Sequence, residues 1–405
     1  MSEKVSSRFK QDSRYAWLVL AVTYFASVVA PLQQFKIPPV ASWLIPYFNM
    51  DPVTFGWLMG SMSLIGVILA FPTIFIVKRI GLKGTVLLSL CCLIVGSVME
   101  LLAGEMLTLF FLGRIIEGAG IGLVGVAAPS SITVWFSEKK RGLPIAIWCT
   151  WFPLGTILMF GLAPQIAATF GWQAVWYFCL AATVLAFVLF ALVFKLPEAQ
   201  SEEAVMVKAS PMECLRTLRN KNIWLLGIVF FCFNYFAIGV LNSFYNQYLE
   251  GIWGMDPTMA APILSVATAL ALIVMPIIGM LNDKTNRRKF FVVSGFIVLI
   301  IGNLFAWTGV GNYAVLWAFI ILAGVGTSMV ASSARAIAPE VMPPTALGAT
   351  MGMTVLQFWQ NLSATVGPPL FGAVLVATNW GFAGYATLMP VLAIGLIATL
   401  LIKAK

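Results

Sequence analysis

Twelve apolar segments dominate this chain, near residues 16–38, 54–77, 83–103, 107–135, 143–168, 173–195, 223–248, 258–281, 290–309, 312–338, 346–373 and 380–402. Each has the roughly 20 residues that a tilted helix needs to cross ~30 Å of hydrocarbon. A dozen such segments within 405 residues leave little chain for anything else. Only 10% of the residues are charged, against about 25% in soluble domains, so a water-compatible surface cannot be built. Ten-residue alternating segments of the barrel type are not seen, and open sheet edges go unsatisfied in lipid. The expected fold class is therefore an all-α polytopic membrane protein of twelve transmembrane helices.

Cationic residues orient the spans. With the N-terminus cytoplasmic, the inner segments hold Lys4, Arg8, Lys10 and Arg14, then Lys78, Arg79 and Lys83, then Lys139, Lys140 and Arg141. Lys195, Lys208, Arg216, Arg219 and Lys221 follow, then Lys284, Arg287, Arg288 and Lys289, and finally Lys403 and Lys405. The outer loops receive no cation but hold Asp51, Glu105, Glu250 and Asp256. This asymmetry predicts a cytoplasmic-membrane protein with both termini in the cytoplasm. It also accounts for the net charge of +9 without nucleic acid. Histidine is absent and the 6 cysteines form no CxxC pair. No His-based catalysis, metal site, disulfide framework or cofactor is therefore expected.

One long polar stretch, residues 196–221, divides the spans six and six. The expected organisation is an N-terminal six-helix bundle (1–195), a cytoplasmic linker (196–221) and a C-terminal six-helix bundle (222–405). The halves resemble each other at an offset near 206: Gly118-Ala-Gly-Ile-Gly pairs with Gly324-Val-Gly-Thr-Ser, and Gly161-Leu-Ala-Pro with Gly367-Pro-Pro-Leu. Paired bundles related by a repeat suggest alternating access around a site between them.

Two motifs connect this pattern to a family. The 8–9 loop, Gly279-Met-Leu-Asn-Asp283-Lys-Thr-Asn-Arg287-Arg288-Lys289, resembles the G-x-x-x-D-[RK]-x-G-[RK]-[RK] motif of the major facilitator superfamily. Span 4, Gly113-Arg114-Ile-Ile-Glu117-Gly118-Ala-Gly120, is similar to that family's R-x-x-Q-G-x-G stretch, with Glu for Gln. Gln34-Phe35-Lys36-Ile37-Pro38-Pro39 followed by Gly56-Trp57-Leu58-Met59 resembles the cyanate permease and nitroimidazole transporter group, and organic-anion exchangers more loosely. The resemblance implies the major facilitator fold, a transporter rather than an enzyme, and a cytoplasmic gate at Asp283, Arg287 and Arg288. In the 2–3 loop Lys78 stands where the family has Asp, so the N-terminal half of that gate departs from the pattern.

Ionisable groups inside spans cost about 2.5–3.5 kcal/mol each on insertion scales, so each needs a partner or a task. Arg114 and Glu117, one turn apart, can pair directly or serve coupling. Lys36, beside Pro38 and Pro39, and Arg335, before the inner end of span 10, have no acid at helical spacing. Glu100 and Glu340 read as span-end residues, which leaves three cations against one interior acid. Unpaired cations facing a shared cavity are tolerable if an anion neutralises them. Lys36 and Arg335 are therefore the expected substrate-binding cations, with Gln33, Asn242, Gln357 and Asn361 as polar company. The expected function is secondary transport of a small organic anion, a carboxylate, by a monomer in the lipid bilayer. The alternative is proton-antiport efflux of drugs or lipophilic compounds. The span 5 stretch Pro153-Leu-Gly155-Thr-Ile-Leu-Met-Phe-Gly161 fits the usual drug-antiporter motif poorly.

Overall fold

The computed structural model describes residues 11–197 and 220–403, apart from 71, 138, 139, 339, 344 and 345 and the side chains of 74 and 346–350. Lys4, Arg8, Lys10, Lys139, Lys405 and all but the ends of the expected linker lie outside the described residues. The chain is helical throughout, and no strand occurs among the described residues. Its spans are α1 (Arg14–Gln34), α2 (Pro52–Leu69), α3 (Thr73–Leu102), α4 (Leu107–Trp135), α5 (Gly142–Phe170) and α6 (Gln173–Val193) in the first half. The second half holds α7 (Lys221–Gly251), α8 (Pro257–Thr285), α9 (Arg288–Ala306), α10 (Tyr313–Ile337), α11 (Ala346–Ala377) and α12 (Trp380–Leu401).

Local chemistry breaks several of these helices. The α1 helix stops at Gln34 because Pro38 has no N–H to return to the Gln34 carbonyl; a short 3-10 turn, Pro38–Val40, follows. In α3 the break is at Gly81, whose φ of 75° suits glycine. The α5 helix consists of two pieces, Gly142–Cys149 and Trp151–Phe170, joined at Thr150. A wider π-turn, Tyr235–Leu241, interrupts α7.

With an even number of spans, α1 begins and α12 ends on one side, called here the termini side. The two halves meet mainly on the opposite side. There α2 packs along α11 so closely that a Cβ on Gly56 would lie 2.5 Å from the Pro368 carbonyl oxygen. Farther along, Asn361 fills the space beside Gly66. Phe55 meets Phe244 edge-on at 5.5 Å, Asn246 donates to the Pro38 carbonyl at 3.3 Å, and Gln165 donates to the Thr258 carbonyl at 2.9 Å. Helix α5 packs on α8. By contrast, α4 makes no substantial packing contact with α10 or α11 among the described residues. The halves are thus sealed on the far side and parted by a cleft on the termini side.

The internal repeat extends to the ends of the bundles. Lys83 Nζ donates to the Ala191 carbonyl at 2.8 Å, and Lys289, 206 residues on, donates to the Leu400 carbonyl at 2.8 Å. Each lysine thereby satisfies the open C-terminal carbonyls of the last helix in its half, where the helix dipole favours a cation.

Candidate functional site

Four charged side chains gather inside the first half. Lys36 Nζ lies 2.7 Å from Glu100 Oε2 and 2.6 Å from Glu117 Oε1, and Arg114 Nη1 lies 2.9 Å from Glu117 Oε2. All four side chains are 0% exposed. Ser97 donates to Glu117 Oε1 at 2.9 Å, and the Trp176 indole N–H donates to Glu100 while its ring lies under Lys36, 5.0 Å away. Arg114 turns its other contacts to the carbonyls of Gln33 (2.8 Å) and Gln34 (3.1 Å). Those carbonyls are the ones released where α1 stops, so the guanidinium closes the broken helix end. Close α3–α4 contact makes the cluster possible: a Cβ on Gly113 would lie 2.7 Å from the Gly96 carbonyl and from Glu100 Cγ.

Two expectations are corrected here. Lys36 is not an unpaired cation facing a cavity, because Glu100 lies in the protein interior and pairs with it. Gln33 is likewise fully buried; its amide donates to Thr183 (3.0 Å) and its Oε1 accepts from Lys36 (2.9 Å). Glu100 stands near the end of α3 in sequence, but α1 ends at the same level, so two span ends meet in the core. The cluster carries two positive and two negative groups and needs no further anion.

Arg335 is different. Its guanidinium stands 5.1 Å over the ring of Phe230, which lies nine residues beyond Lys221 and is itself 1% exposed. That depth is roughly 13 Å along α7 from its start. Arg335 is exposed nonetheless. The guanidinium thus stays accessible at a depth where α7 and α10 of the second half pack together. No hydrogen bond or ion pair reaches it among the described residues. Glu340, the acid next along, bonds instead to Arg288 Nη1 at 2.5 Å. The last-turn position lets the dipole of α10 stabilise Arg335, by about 0.3–1 kcal/mol, which offsets only part of the cost of its depth.

The remaining expected residues are spread over the seam. Gln357 is exposed and donates weakly to Asn361 Oδ1 at 3.4 Å; Asn361 is half-buried against Gly66. Asn242 is half-buried on α7 and occupies the repeat position of Lys36, offset by 206. At the termini side Arg288 lies 3.8 Å from Asp283 and donates to the Ala336 carbonyl at 3.0 Å, tying α8, α9 and the end of α10. Arg287 caps the start of α9 without an ion pair among the described residues. Sequence reasoning missed Glu100, Phe230 and the far-side bond between Asn246 and Glu250. The spacing Gly96, Ser97 and Glu100 on one helix face was the available signal for the first.

The sequence model of the Major Facilitator Superfamily matches residues 23–354 and again 228–405. The chain belongs to the Major Facilitator Superfamily. Its similar proteins include the probable nitrate transporter NarT of Staphylococcus haemolyticus (strain JCSC1435), 28% identical over 308 residues, covering 72% of this chain and 75% of that protein. The protein of the same name from Staphylococcus aureus (strain Newman) is 27% identical over 325 residues, covering 77% of each. Among solved structures, a bacterial homolog of the human lysosomal transporter Spinster, inward-facing and occupied, superposes with a TM-score of 0.73. It is 16% identical and covers 96% of this chain and 95% of that one, so the likeness is one of fold. This facilitator is thus an integral membrane transporter whose similar proteins are transporters and not enzymes.

Proposed function

We propose that this facilitator is a secondary carrier for a small anion, a carboxylate, which Arg335 binds in the cleft. One observation carries the reading: Arg335 is a deep, accessible cation without an acid partner among the described residues, while Lys36 and Arg114 are neutralised. A guanidinium offers a planar fork that suits a planar oxyanion in a bidentate way. A single such group matches a single negative charge. With both termini cytoplasmic, as the cation distribution favours, the cleft faces the cytoplasm and the far-side seal faces outward. Alternating access would then close α4 and α5 onto α10 and α11 while the seal between α2 and α11 opens.

A second reading, transport of nitrate itself, draws on the names of the similar proteins; nitrate presents the same planar oxygens as a carboxylate. Efflux of lipophilic cations is disfavoured by the charge of Arg335. The experiment is counterflow in proteoliposomes with labelled formate, benzoate, nitrate and a lipophilic cation, using wild type, Arg335→Lys and Arg335→Gln. Anion exchange that is lost in Arg335→Gln and partly kept in Arg335→Lys supports the reading. Cation exchange, or anion exchange indifferent to Arg335, contradicts it.

A further inference from the structure

The two carboxylates of the ion cluster are not held equally. Glu117 receives Lys36 and Ser97 on Oε1 and Arg114 on Oε2. Glu100 takes both of its donors, Lys36 and the Trp176 indole N–H, through Oε2 alone. Its Oε1 is buried and has no hydrogen-bond partner among the described residues. A carboxylate oxygen removed from water without a donor is costly, and a neutral carboxyl much less so.

Lys36 is also the member placed to move. Helix α1 ends at Gln34, and Arg114 pins that end through the carbonyls of Gln33 and Gln34. The 3-10 turn begins at Pro38, whose carbonyl accepts from Asn246 of the second half at 3.3 Å. Residues 35–37 therefore link a fixed helix end to a turn that is tied across the far-side seal. When the seal opens, displacement of Pro38 is taken up in the three residues that carry Lys36.

Withdrawal of Lys36 would affect the two acids differently. Glu117 keeps Arg114 and Ser97, whereas Glu100 keeps only the Trp176 N–H. The elements packed on α3 are α1, α4 and α6. Their charged and titratable groups at this level are Lys36, Arg114, Glu117 and Cys179, whose thiol lies against the Leu32 carbonyl at 3.9 Å. Of these only Lys36 pairs with Glu100, and Glu117, which shares that ammonium, disfavours a second bare negative charge beside it. Glu100 stands two residues before the far-side end of α3, so the far-side medium is the nearest source of a proton. We infer that Glu100 is a proton site of the far-side-open state: a proton adds to its carboxylate as the seal opens and leaves when Lys36 returns. By linkage, a state that binds an extra proton gains population as pH falls. The inference goes beyond the anion reading, and its test needs no anion, so either can fail alone.

The test uses a parent in which Cys91, Cys92, Cys149 and Cys214 are serine and Thr54, near the start of α2 in the seal, is cysteine. An impermeant thiol reagent is applied from the far side over a range from alkaline to mildly acid pH. Each rate is divided by that of a cysteine at Thr308, an exposed position before α10, which removes the thiol's own ionisation. The inference expects the ratio to rise as pH falls, by up to about tenfold per pH unit, the limit for one proton. Glu100→Gln, which mimics the protonated acid, should give a high ratio that does not change with pH, and Glu100→Asp should restore the dependence. A merely structural Glu100 would alter the ratio without removing its pH dependence. A ratio flat in the parent, or equally pH-dependent in Glu100→Gln, overturns the inference. Should Glu100→Gln fail to fold, the infrared spectrum of the parent decides. Acid pH should bring up a protonated-carboxyl band that shifts in Glu100→Asp, and its absence, or a band unmoved by Glu100→Asp, overturns the inference too.

Discussion

Lys36 and Glu117 meet at 2.6 Å, and neither side chain exposes any surface. They come from α1 and α4, and Glu100 of α3 completes the bridge at 2.7 Å. An ion pair removed so fully from water depends on every member being present. Lys36→Met should therefore destabilise the folded protein by about 3–5 kcal/mol, the cost of leaving a buried carboxylate unpaired. Adding Glu100→Gln to Lys36→Met should recover part of that loss. Thermal unfolding in detergent of both variants checks this; equal melting temperatures for Lys36→Met and wild type would contradict the pairing.

Across the far-side seal, Asn246 of α7 bonds both the Pro38 carbonyl and Glu250. Removing that bridge with Asn246→Ala should loosen the seal and favour opening toward the far side. A cysteine placed at Thr54, half-buried near the start of α2, reports on this through an impermeant thiol reagent. Labelling should be several-fold faster in Asn246→Ala than in the parent.

On the termini side the two acids around Arg288 are unequal. Glu340 sits at 2.5 Å and is 31% exposed, whereas Asp283 sits at 3.8 Å and is 81% exposed. Solvent-exposed pairs contribute about 0–1 kcal/mol, so Asp283→Asn should leave thermal stability unchanged. Glu340→Gln should lower the melting temperature measurably. The reverse order would show that Asp283 is the structural partner.

Asp12 precedes α1 and holds Ser137 after α4. Its carboxylate accepts from the Ser137 hydroxyl at 2.7 Å and backbone N–H at 3.1 Å, with Lys140 at 3.7 Å. These contacts, the Ser137 hydroxyl first, hold its pKa below the usual carboxylate value. A depressed folded-state pKa adds stability above the unfolded value, and that stability is lost as pH falls through the folded one. Asp12→Asn should therefore narrow the gap in melting temperature between neutral and acidic pH relative to wild type.

The all-α polytopic fold and the facilitator architecture were legible because hydrophobic length is a linear property of the chain. The charge balance was not. Lys36 and Glu100 lie 64 positions apart and on different helices, so their pairing depends on how α1 and α3 end at one level. Glu117 and Arg114, one turn apart on α4, could be matched on paper. Arg335 stood out by having no acid at helical spacing, and its accessibility depends on the cleft between halves. Phe230 gave no polar signal at all, since an aromatic on an apolar helix reads the same whether it faces lipid or a cavity.

The central claim, that an anion occupies Arg335, is tested most directly at Cys149. Cys91, Cys92 and Cys214 are replaced by serine, and buried Cys179 and Cys232 are left in place. Alkylation of Cys149 by a maleimide is then timed with and without a saturating anion from the transported set. The account predicts marked slowing by the anion in this background and none after Arg335→Gln. Equal protection with and without the arginine, or no protection in either protein, would contradict it.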